Sequence, residues 1–353
     1  MLRAAILGTG WSAETHARAL AEADIEIWAV VGRDPERTRH FAEKWSIPNN
    51  STDFALLCAP EINCVHICTP PSEHGEAIRK LLHHNKHILC EKPLCFDAAE
   101  AAELAKIAEE KNLVCALGFH FRFYPACQKA KELVSSPDFG RVLLIHGSYL
   151  QEFGAEPAEY SWRYEDPLHA VSEIGSHWLD LAQFISGKEI TALSAQFDHF
   201  HPQRHQKNGL LFLQADRDRK PIEVKNEDAA ILSLRFEENI MGAVVLSELS
   251  HGRKNALTME ITGENQSLWW NSEIPGQLTL AKKGTEPETI QFPDRPFDAY
   301  FRQISAVYED IGKGKRAEDA LYADFNAGKN NALLCATAKS SAKDHAVWKE
   351  VKI

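Results

Sequence analysis

The sequence predicts two domains in tandem: a doubly wound parallel α/β sheet at the amino end, then an α+β domain. Three observations predict this. Short apolar runs alternate with longer helical patterns up to about Phe123, as in βαβ units with helices on both faces of a parallel sheet. Beyond that point strand-like runs follow one another through short polar connections, the habit of a mainly antiparallel sheet. The length of 353 residues corresponds to about two domains of roughly 150 residues each.

In the first half, 4–7 reads as a strand, 12–23 as a helix and 25–31 as the next strand. A helix over 34–45 follows, with Pro35 set like a first-turn proline. Cys64-Val65-His66-Ile67-Cys68 is a buried strand, followed by a helix over 72–84, a strand over 87–90, a helix over 98–111 and a strand over 113–117. In the second half 142–149, 229–236, 240–246, 258–262 and 277–280 read as strands, with Glu237-Glu238-Asn239 as a hairpin turn. A helix over 170–185 stops at Gly187, and a last helix covers 323–343. The polar stretch 199–228 is weakly patterned and reads as a long substrate loop or a mobile insert. The expected domains are 1–123 and 124–353.

Composition narrows the function classes. Lysine plus arginine number 39 against 50 aspartate plus glutamate, a formal charge of −11. That argues against a nucleic-acid or anionic-membrane binder, which needs a basic face. No apolar run approaches the roughly 18 residues that cross a bilayer. The apolar stretch at the amino terminus is too short for a signal peptide, so a cytoplasmic protein is expected. Cys58, Cys64, Cys68, Cys90, Cys95, Cys115, Cys127 and Cys335 form no Cys-x-x-Cys pair. They are expected to be reduced thiols, without a metal or a disulfide framework.

Gly8-Thr9-Gly10-Trp11-Ser12-Ala13 follows a strand and opens a helix, the context in which a glycine-rich turn binds a dinucleotide. Gly8 permits the tight turn, Gly10 lets the backbone approach a pyrophosphate, and Ala13 allows close helix–strand packing. The helix amino terminus supplies N–H groups for the phosphates. A glycine turn without a ligand is the weaker reading. The end of the second strand, Val30-Val31-Gly32-Arg33-Asp34, leaves two registers open. If Gly32 takes the place of the usual acid, Arg33 pairs a 2′-phosphate and NADP is favoured; a shifted register brings Asp34 to the ribose and favours NAD. The reading leans to NADP.

Three further motifs, in order and with the right spacing, resemble the Gfo/Idh/MocA family over almost the whole chain. They are Ile67-Cys68-Thr69-Pro70-Pro71-Ser72-Glu73-His74, then Glu91-Lys92-Pro93, then Ile174-Gly175-Ser176-His177-Trp178-Leu179-Asp180. The resemblance implies an NAD(P)-dependent oxidoreductase acting on a sugar, cyclitol or related polyol. It implies an amino-terminal Rossmann domain and a second domain built on a large open sheet, which relatives commonly bury in a homodimer or homotetramer. It also implies that Thr69, Pro70, His74, Glu91 and Lys92 lie at the cofactor, and that Lys92–Pro93 is cis; Arg122, similar to an arginine of the domain junction, holds the nicotinamide amide or the substrate or merely joins the domains.

The residues make independent sense of that chemistry. Oxidising an alcohol requires removal of the hydroxyl proton as hydride leaves. Lys92 follows an apolar strand at the edge where open α/β sheets bind ligands, and a partly desolvated lysine there serves as general base or donor. By the residues alone, a surface lysine ahead of a helix fits equally well. On the helix of the second half, Glu173, His177 and Asp180 are spaced to share one face. Ile174, Trp178, Leu181 and Ile185 form an apolar stripe beside them. His177 is the natural partner in proton transfer; a solvated acidic face is the alternative, and a metal site there is disfavoured. The family more often has aspartate where this chain has Glu173, and glycines where it has Ala170-Val171-Ser172. The longer carboxylate sets its oxygens about one methylene farther out.

Weaker candidates are Trp162 and Arg163, similar to a segment that reaches the pocket in relatives, and Arg253-Lys254-Asn255, read as bonding a polyol or belonging to an interface. His199, His201 and His205 are expected to be water-exposed loop histidines. The pocket is expected where Lys92 meets the helix bearing Glu173 to Asp180. Two rival functions are an NAD-dependent glycosidase-like enzyme with no net redox change and a nicotinamide-sensing binding protein without turnover.

Overall fold

The computed structural model describes residues 2–293, 295 and 297–352. Its contacts divide it into two units, Met1–Phe123 with Arg295–Ala332, and Tyr124–Asp294 with Leu333–Ile353. The stretch 295–332, placed with the second domain on sequence, therefore packs with the first.

The first unit opens with β1 (Arg3–Leu7), α1 (Trp11–Glu22), β2 (Glu26–Val31), α2 (Pro35–Trp45) and β3 (Asn49–Ser51). It continues with β4 (Cys64–Ile67), α3 (His74–His83), β5 (His87–Cys90), α4 (Ala98–Glu110) and β6 (Cys115–Leu117). The six strands pair in parallel in the order β3-β2-β1-β4-β5-β6. Side chains start these helices where the sequence asks for it. Asp34 accepts from Arg37 N and Asp97 from Glu100 N, each satisfying a backbone donor that the first turn leaves unpaired. Ala4, Ala5, Ile6, Val65, Ile67 and Ile88 are wholly buried, as in a sheet covered on both faces.

Register decides where the functional loops emerge. Val31, Leu7, Ile67, Cys90 and Leu117 lie in one row across the sheet. The next residues, Gly32, Gly8, Cys68, Glu91 and Gly118, therefore share its carboxyl edge. Four N–H groups continue the ladder there: Gly8 to Val31 O, Cys68 to Leu7 O, Glu91 to Ile67 O and Gly118 to Cys90 O.

The second unit contains α5 (Pro125–Val134), β7 (Val142–Leu150), β8 (Ala158–Glu159) and α6 (Ser176–Ser186), the last preceded by a π turn over Val171–Gly175. Then come β9 (Ile190–Asp198), β10 (Gln203–Lys207), β11 (Leu210–Phe212), β12 (Lys220–Glu223), β13 (Ala229–Phe236) and β14 (Met241–Ser247). β15 (Ala256–Gly263), β16 (Gln266–Asn271), β17 (Gln277–Lys282) and β18 (Glu288–Gln291) follow. The chain closes with α7 (Asp298–Lys313) in the first unit, α8 (Phe325–Lys343), which starts in the first unit and ends in the second, and β19 (Lys349–Glu350).

Nine strands form one sheet in the order β18-β17-β16-β15-β7-β14-β13-β9-β19, antiparallel except at β7–β14. The turn at 237–239 is tight because Glu238 and Asn239 adopt left-handed backbone conformations. One face of the sheet carries the helix bearing His177. Trp178 Nε1 donates to Thr258 O at 2.9 Å, and a Cβ on Gly147 would lie 2.0 Å from that same carbonyl oxygen. Only a glycine admits the helix so close. The other face leaves Ile231, Met241, Val245 and Trp269 exposed.

The stretch 199–228 is neither a loop nor an insert without structure. β10, β11 and β12 join β8 in a small sheet ordered β12-β10-β11-β8, anchored by the fully buried Arg204, which bonds Asp228 at 3.2 Å and Gly154 O at 2.7 Å. No helix among the described residues is long and apolar enough to cross a membrane.

Candidate active site

In the first unit the glycine-rich turn is shaped as a cradle. Gly8 has φ +111°, and a Cβ there would lie 2.8 Å from Cys68 O, so the position takes no side chain. Gly10 caps α1 without a side-chain hydrogen bond, and a Cβ on it would meet nothing within 4 Å. The backbone thus offers N–H groups and open space at the amino end of a helix, the condition a pyrophosphate requires. Ala13 is fully buried beneath the turn, Trp11 is exposed beside it and Ser12 is half-buried. The Thr69 hydroxyl on the adjoining loop is buried with no hydrogen-bond partner among the described residues. These features fit a dinucleotide.

At the end of β2 a Cβ on Gly32 would stand 2.5 Å from Thr38 Oγ1 and 3.1 Å from Thr9 Cγ2, so no side chain fits. Asp34 is engaged in capping α2, its Oδ1 2.9 Å from Arg37 N. Arg33 remains exposed, its guanidinium 3.6 Å from Glu73.

Lys92 follows directly on the edge row, half-buried, with a cis bond to Pro93. His74 is wholly buried, its ring nitrogens 2.8 Å from Pro93 O and 2.9 Å from Thr69 O. It ties together the two loops on either side rather than reaching a ligand with its ring. Burial holds its pKa below the usual imidazole range although both carbonyls favour the protonated ring. Arg122 is half-buried and donates to Leu321 O at 3.3 Å.

Behind these loops runs a row of polar side chains that sequence reading missed. His16 on α1 has one ring nitrogen 3.1 Å from Glu91 Oε1 and the other 2.8 Å from His66 Nδ1. His66 Nε2 lies 2.9 Å from the Tyr308 hydroxyl. Burial alone would push the His16 pKa down; Cys68 and Glu91 reverse this and raise it to about 10. Burial also raises the Cys68 thiol. Burial works to raise the Glu91 pKa too, but His16 brings it below the ordinary value. His66 is held well below 6.5 by burial and by His16, and stays neutral.

In the second unit the helix bearing His177 begins on a buried carboxylate. Glu227 accepts from His169 N at 3.0 Å and Val171 N at 2.9 Å, capping the first turn. The π turn holds Glu173 and interrupts the α spacing assumed from the sequence, so Glu173 does not keep straight α phase with His177 and Asp180. All three are largely buried: His177 is 7% and Asp180 4% exposed, and the Glu173 side chain 10%. The acidic face expected as an alternative is therefore not solvated.

Glu173 Oε2 accepts from Arg163 Nε at 2.8 Å, and the Arg163 guanidinium lies 4.4 Å from the centre of the Trp162 ring. The His177 ring is 6.4 Å from that of Tyr149, whose hydroxyl donates to Asn255 Oδ1 at 2.5 Å; Gln151 donates to the same oxygen at 2.8 Å. Tyr149 and Gln151 were invisible in sequence, being ordinary residues at a strand end. Of Arg253-Lys254-Asn255, only Asn255 joins this group; Arg253 pairs with Glu273 and the Lys254 N–H bonds it. His199, His201 and His205 are half-buried rather than water-exposed, and His205 lies on β10.

A parallel sheet ordered 3-2-1-4-5-6, with a glycine cradle after its first strand, defines a dinucleotide-binding domain of the oxidoreductase type. Comparison with known proteins agrees. Residues 2–119 match the oxidoreductase family with an NAD-binding Rossmann fold, and residues 127–269 the GFO/IDH/MocA C-terminal domain. The chain belongs to the Gfo/Idh/MocA family of NAD-dependent oxidoreductases. It is 28% identical to a levoglucosan dehydrogenase of Pseudarthrobacter phenanthrenivorans, covering 90% of this chain and 87% of that one. It is 27% identical to a scyllo-inositol 2-dehydrogenase (NAD(+)) of Bacillus subtilis, covering 89% and 87%. An oxidoreductase domain protein from Kribbella flavida superposes with TM-score 0.91 at 25% identity, over 100% of this chain and 99% of that one.

Proposed function

We propose that the protein is an NAD(P)-dependent dehydrogenase acting on a CH–OH group of a sugar, cyclitol or related polyol, with Lys92, His177 and Glu173 as its proton-handling residues. The observation that carries this reading is the edge row of the first unit. Gly8, Cys68 and Glu91 share one edge of the parallel sheet, with Thr69 and Lys92 each one residue further along the chain. The relatives' substrates, an anhydrosugar and an inositol by name, support a polyhydroxylated ring.

In this reading Gly8, Thr9, Gly10, Trp11 and Ser12 hold the pyrophosphate, and Thr69, Pro70, Glu91 and Arg122 line the nicotinamide end. His74 braces that end through its backbone partners. A bound nicotinamide would supply the acceptor, or in reverse the donor, of the hydride at the carbinol carbon. Lys92 removes the hydroxyl proton, or donates to the carbonyl oxygen in reverse. His177 and Glu173 are the second unit's proton-handling residues in this reading, Glu173 being paired with Arg163. Asp180, Trp162, Tyr149, Gln151 and Asn255 supply donors and acceptors suited to several hydroxyl groups. Arg33 reads a 2′-phosphate, which favours NADP; the capping role of Asp34 and the packing at Gly32 support this by leaving no acid for the ribose. The exposed face of the nine-stranded sheet, with Ile231, Met241, Val245 and Trp269, supports self-association as a homodimer or homotetramer. Eight free cysteines support a cytoplasmic location.

The test is a panel of sugars and cyclitols assayed for absorbance change with NAD and with NADP. Turnover with at least one polyol is expected. Release of an aglycone at constant NADH absorbance, or tight cofactor binding with no turnover on any panel member, would overturn the reading.

A further inference from the structure

The bonded row behind the glycine-rich turn is not used by the proton chemistry above. His16 belongs to the helix that the turn opens, whereas Glu91 belongs to the segment that carries Lys92. The His16 ring is wholly buried. It faces His66 and Cys68 from the β4 side, Glu91 after β5, His120 after β6 and Tyr300 of α7, whose ring centre is 6.4 Å away. Glu91 is held from several sides. Its Oε1 meets His16 at 3.1 Å, and its Oε2 accepts the backbone N–H of Lys92 at 3.3 Å. A Cβ on Gly118 would stand 2.9 Å from that same Oε2, so the carboxylate also fills the space that a side chain at 118 would take.

We propose that His16 is a positioning residue, which by gripping Glu91 fixes the backbone of Lys92 and ties the helix of the glycine-rich turn to the segment bearing the reacting amine. Its kinetic consequence rests on the reading of Lys92 given above; its geometric part does not.

The donors show how the row works. With both ring nitrogens protonated, His16 donates to Glu91 and to His66, and His66 donates through Nε2 to the Tyr308 hydroxyl. After loss of one proton, His66 donates to His16 and Tyr308 donates to His66, while the bond to Glu91 survives as an N–H of a neutral ring. No bond in the row is broken, yet the grip on Glu91 weakens, because bonds between ionised partners are about twice as strong as neutral ones.

The experiment uses the whole protein, isotope-labelled at histidine, with ring-nitrogen NMR and amide exchange read over the peptide containing Lys92. One ring, assigned by its loss in His16→Gln, is expected to stay doubly protonated well above neutrality and to lose its proton at lower pH in Glu91→Gln. The Lys92 amide is expected to exchange about tenfold faster in His16→Leu. His16→Gln, whose side-chain amide can donate to Glu91, should recover part of that protection. kcat should fall about tenfold in His16→Leu with cofactor KM within about twofold. If His16→Leu does not fold, the wild-type ring and His16→Gln carry the test. A His16 ring that titrates like a solvated imidazole, or a Lys92 amide indifferent to both variants, overturns the proposal whatever the turnover. If the amide responds as expected while Lys92→Ala keeps full activity, the assignment of Lys92 to the chemistry falls and the positioning by His16 stands.

Discussion

In the first unit Glu91, His16, His66 and Tyr308 are bonded to one another in a row; in the second, Glu227 and Arg204 reach the interior singly, matched by backbone groups or by one opposite charge. Both arrangements meet the rule that buried polar groups must find partners, but they respond differently to protons. The row can gain or lose one and keep all its bonds, because imidazole and hydroxyl both donate and accept. The carboxylate of Glu227 and the guanidinium of Arg204 have fixed roles. The row of the first unit, which also carries the cradle and Lys92, is thus adjustable, and these two charged anchors of the second are not.

The sharpest way to separate the units is Lys92→Ala. It should lower kcat by about 10²–10⁴-fold while leaving cofactor affinity, read by fluorescence titration, and thermal stability near wild type. Unchanged turnover would remove Lys92 from the chemistry.

Arg204→Met probes the rigid anchor. It leaves Asp228, about 1% exposed, without its countercharge, and should cost about 3–5 kcal/mol in denaturant unfolding. Adding Asp228→Asn should restore much of that. If the single variant melts like wild type, the small sheet of β8, β10, β11 and β12 does not depend on the pair.

pH separates the units more gently. A raised pKa in the folded state means that the folded protein holds a proton the unfolded chain releases. The His16 contribution is therefore complete below about pH 6.5 and is lost as pH rises through about 10. His120 in the first unit and His169 in the second are both lowered to about 4, chiefly by burial. Their contributions are complete above about pH 6.5 and are lost as pH falls through about 4. Acid should loosen both units, and mild alkali the first through His16, each group with a slope of up to about 1.4 kcal/mol per pH unit. Urea unfolding read by cysteine labelling distinguishes them, since Cys64, Cys90 and Cys115 report the first unit and Cys127 and Cys335 the second. Equal midpoint shifts in both units on going alkaline would contradict the assignment to His16.

The smallest effect is expected at the rim of the first unit. Arg33→Ala should lower the ratio of kcat/KM with NADP to that with NAD about tenfold. An unchanged ratio would leave the preference to other residues.

Much of the first unit was legible because helix and strand periods alternate cleanly over its first 123 residues, and because Gly8, Gly10 and Glu91-Lys92-Pro93 fall at strand ends. The hairpin at 237–239 was legible for the same local reason. What escaped the sequence depends on distance. The row pairs His16 with His66 and Glu91 across 50 and 75 residues, and His66 with Tyr308 across 242. His66, lodged in the apolar run Cys64-Val65-His66-Ile67-Cys68, was the one local hint, since a buried imidazole needs partners. β10 and β12 escaped because Gln203–Lys207 is polar throughout and Lys220–Glu223 is a four-residue piece holding a proline, so neither shows alternation. The π turn escaped because spacing arguments assume 3.6 residues per turn.

The division of the chain also constrains when folding can finish during synthesis. The first unit leaves off at Phe123 and resumes at Arg295, so its parallel sheet waits for Tyr308, Phe325 and Ala332 until most of the polypeptide has emerged from the ribosome. The second unit waits as well, since Ala195 N bonds the hydroxyl of Ser341 near the far end of the same closing helix. A premature stop ahead of Phe325 would leave both halves unfinished, which makes this one late helix the point at which a nascent chain becomes a protein.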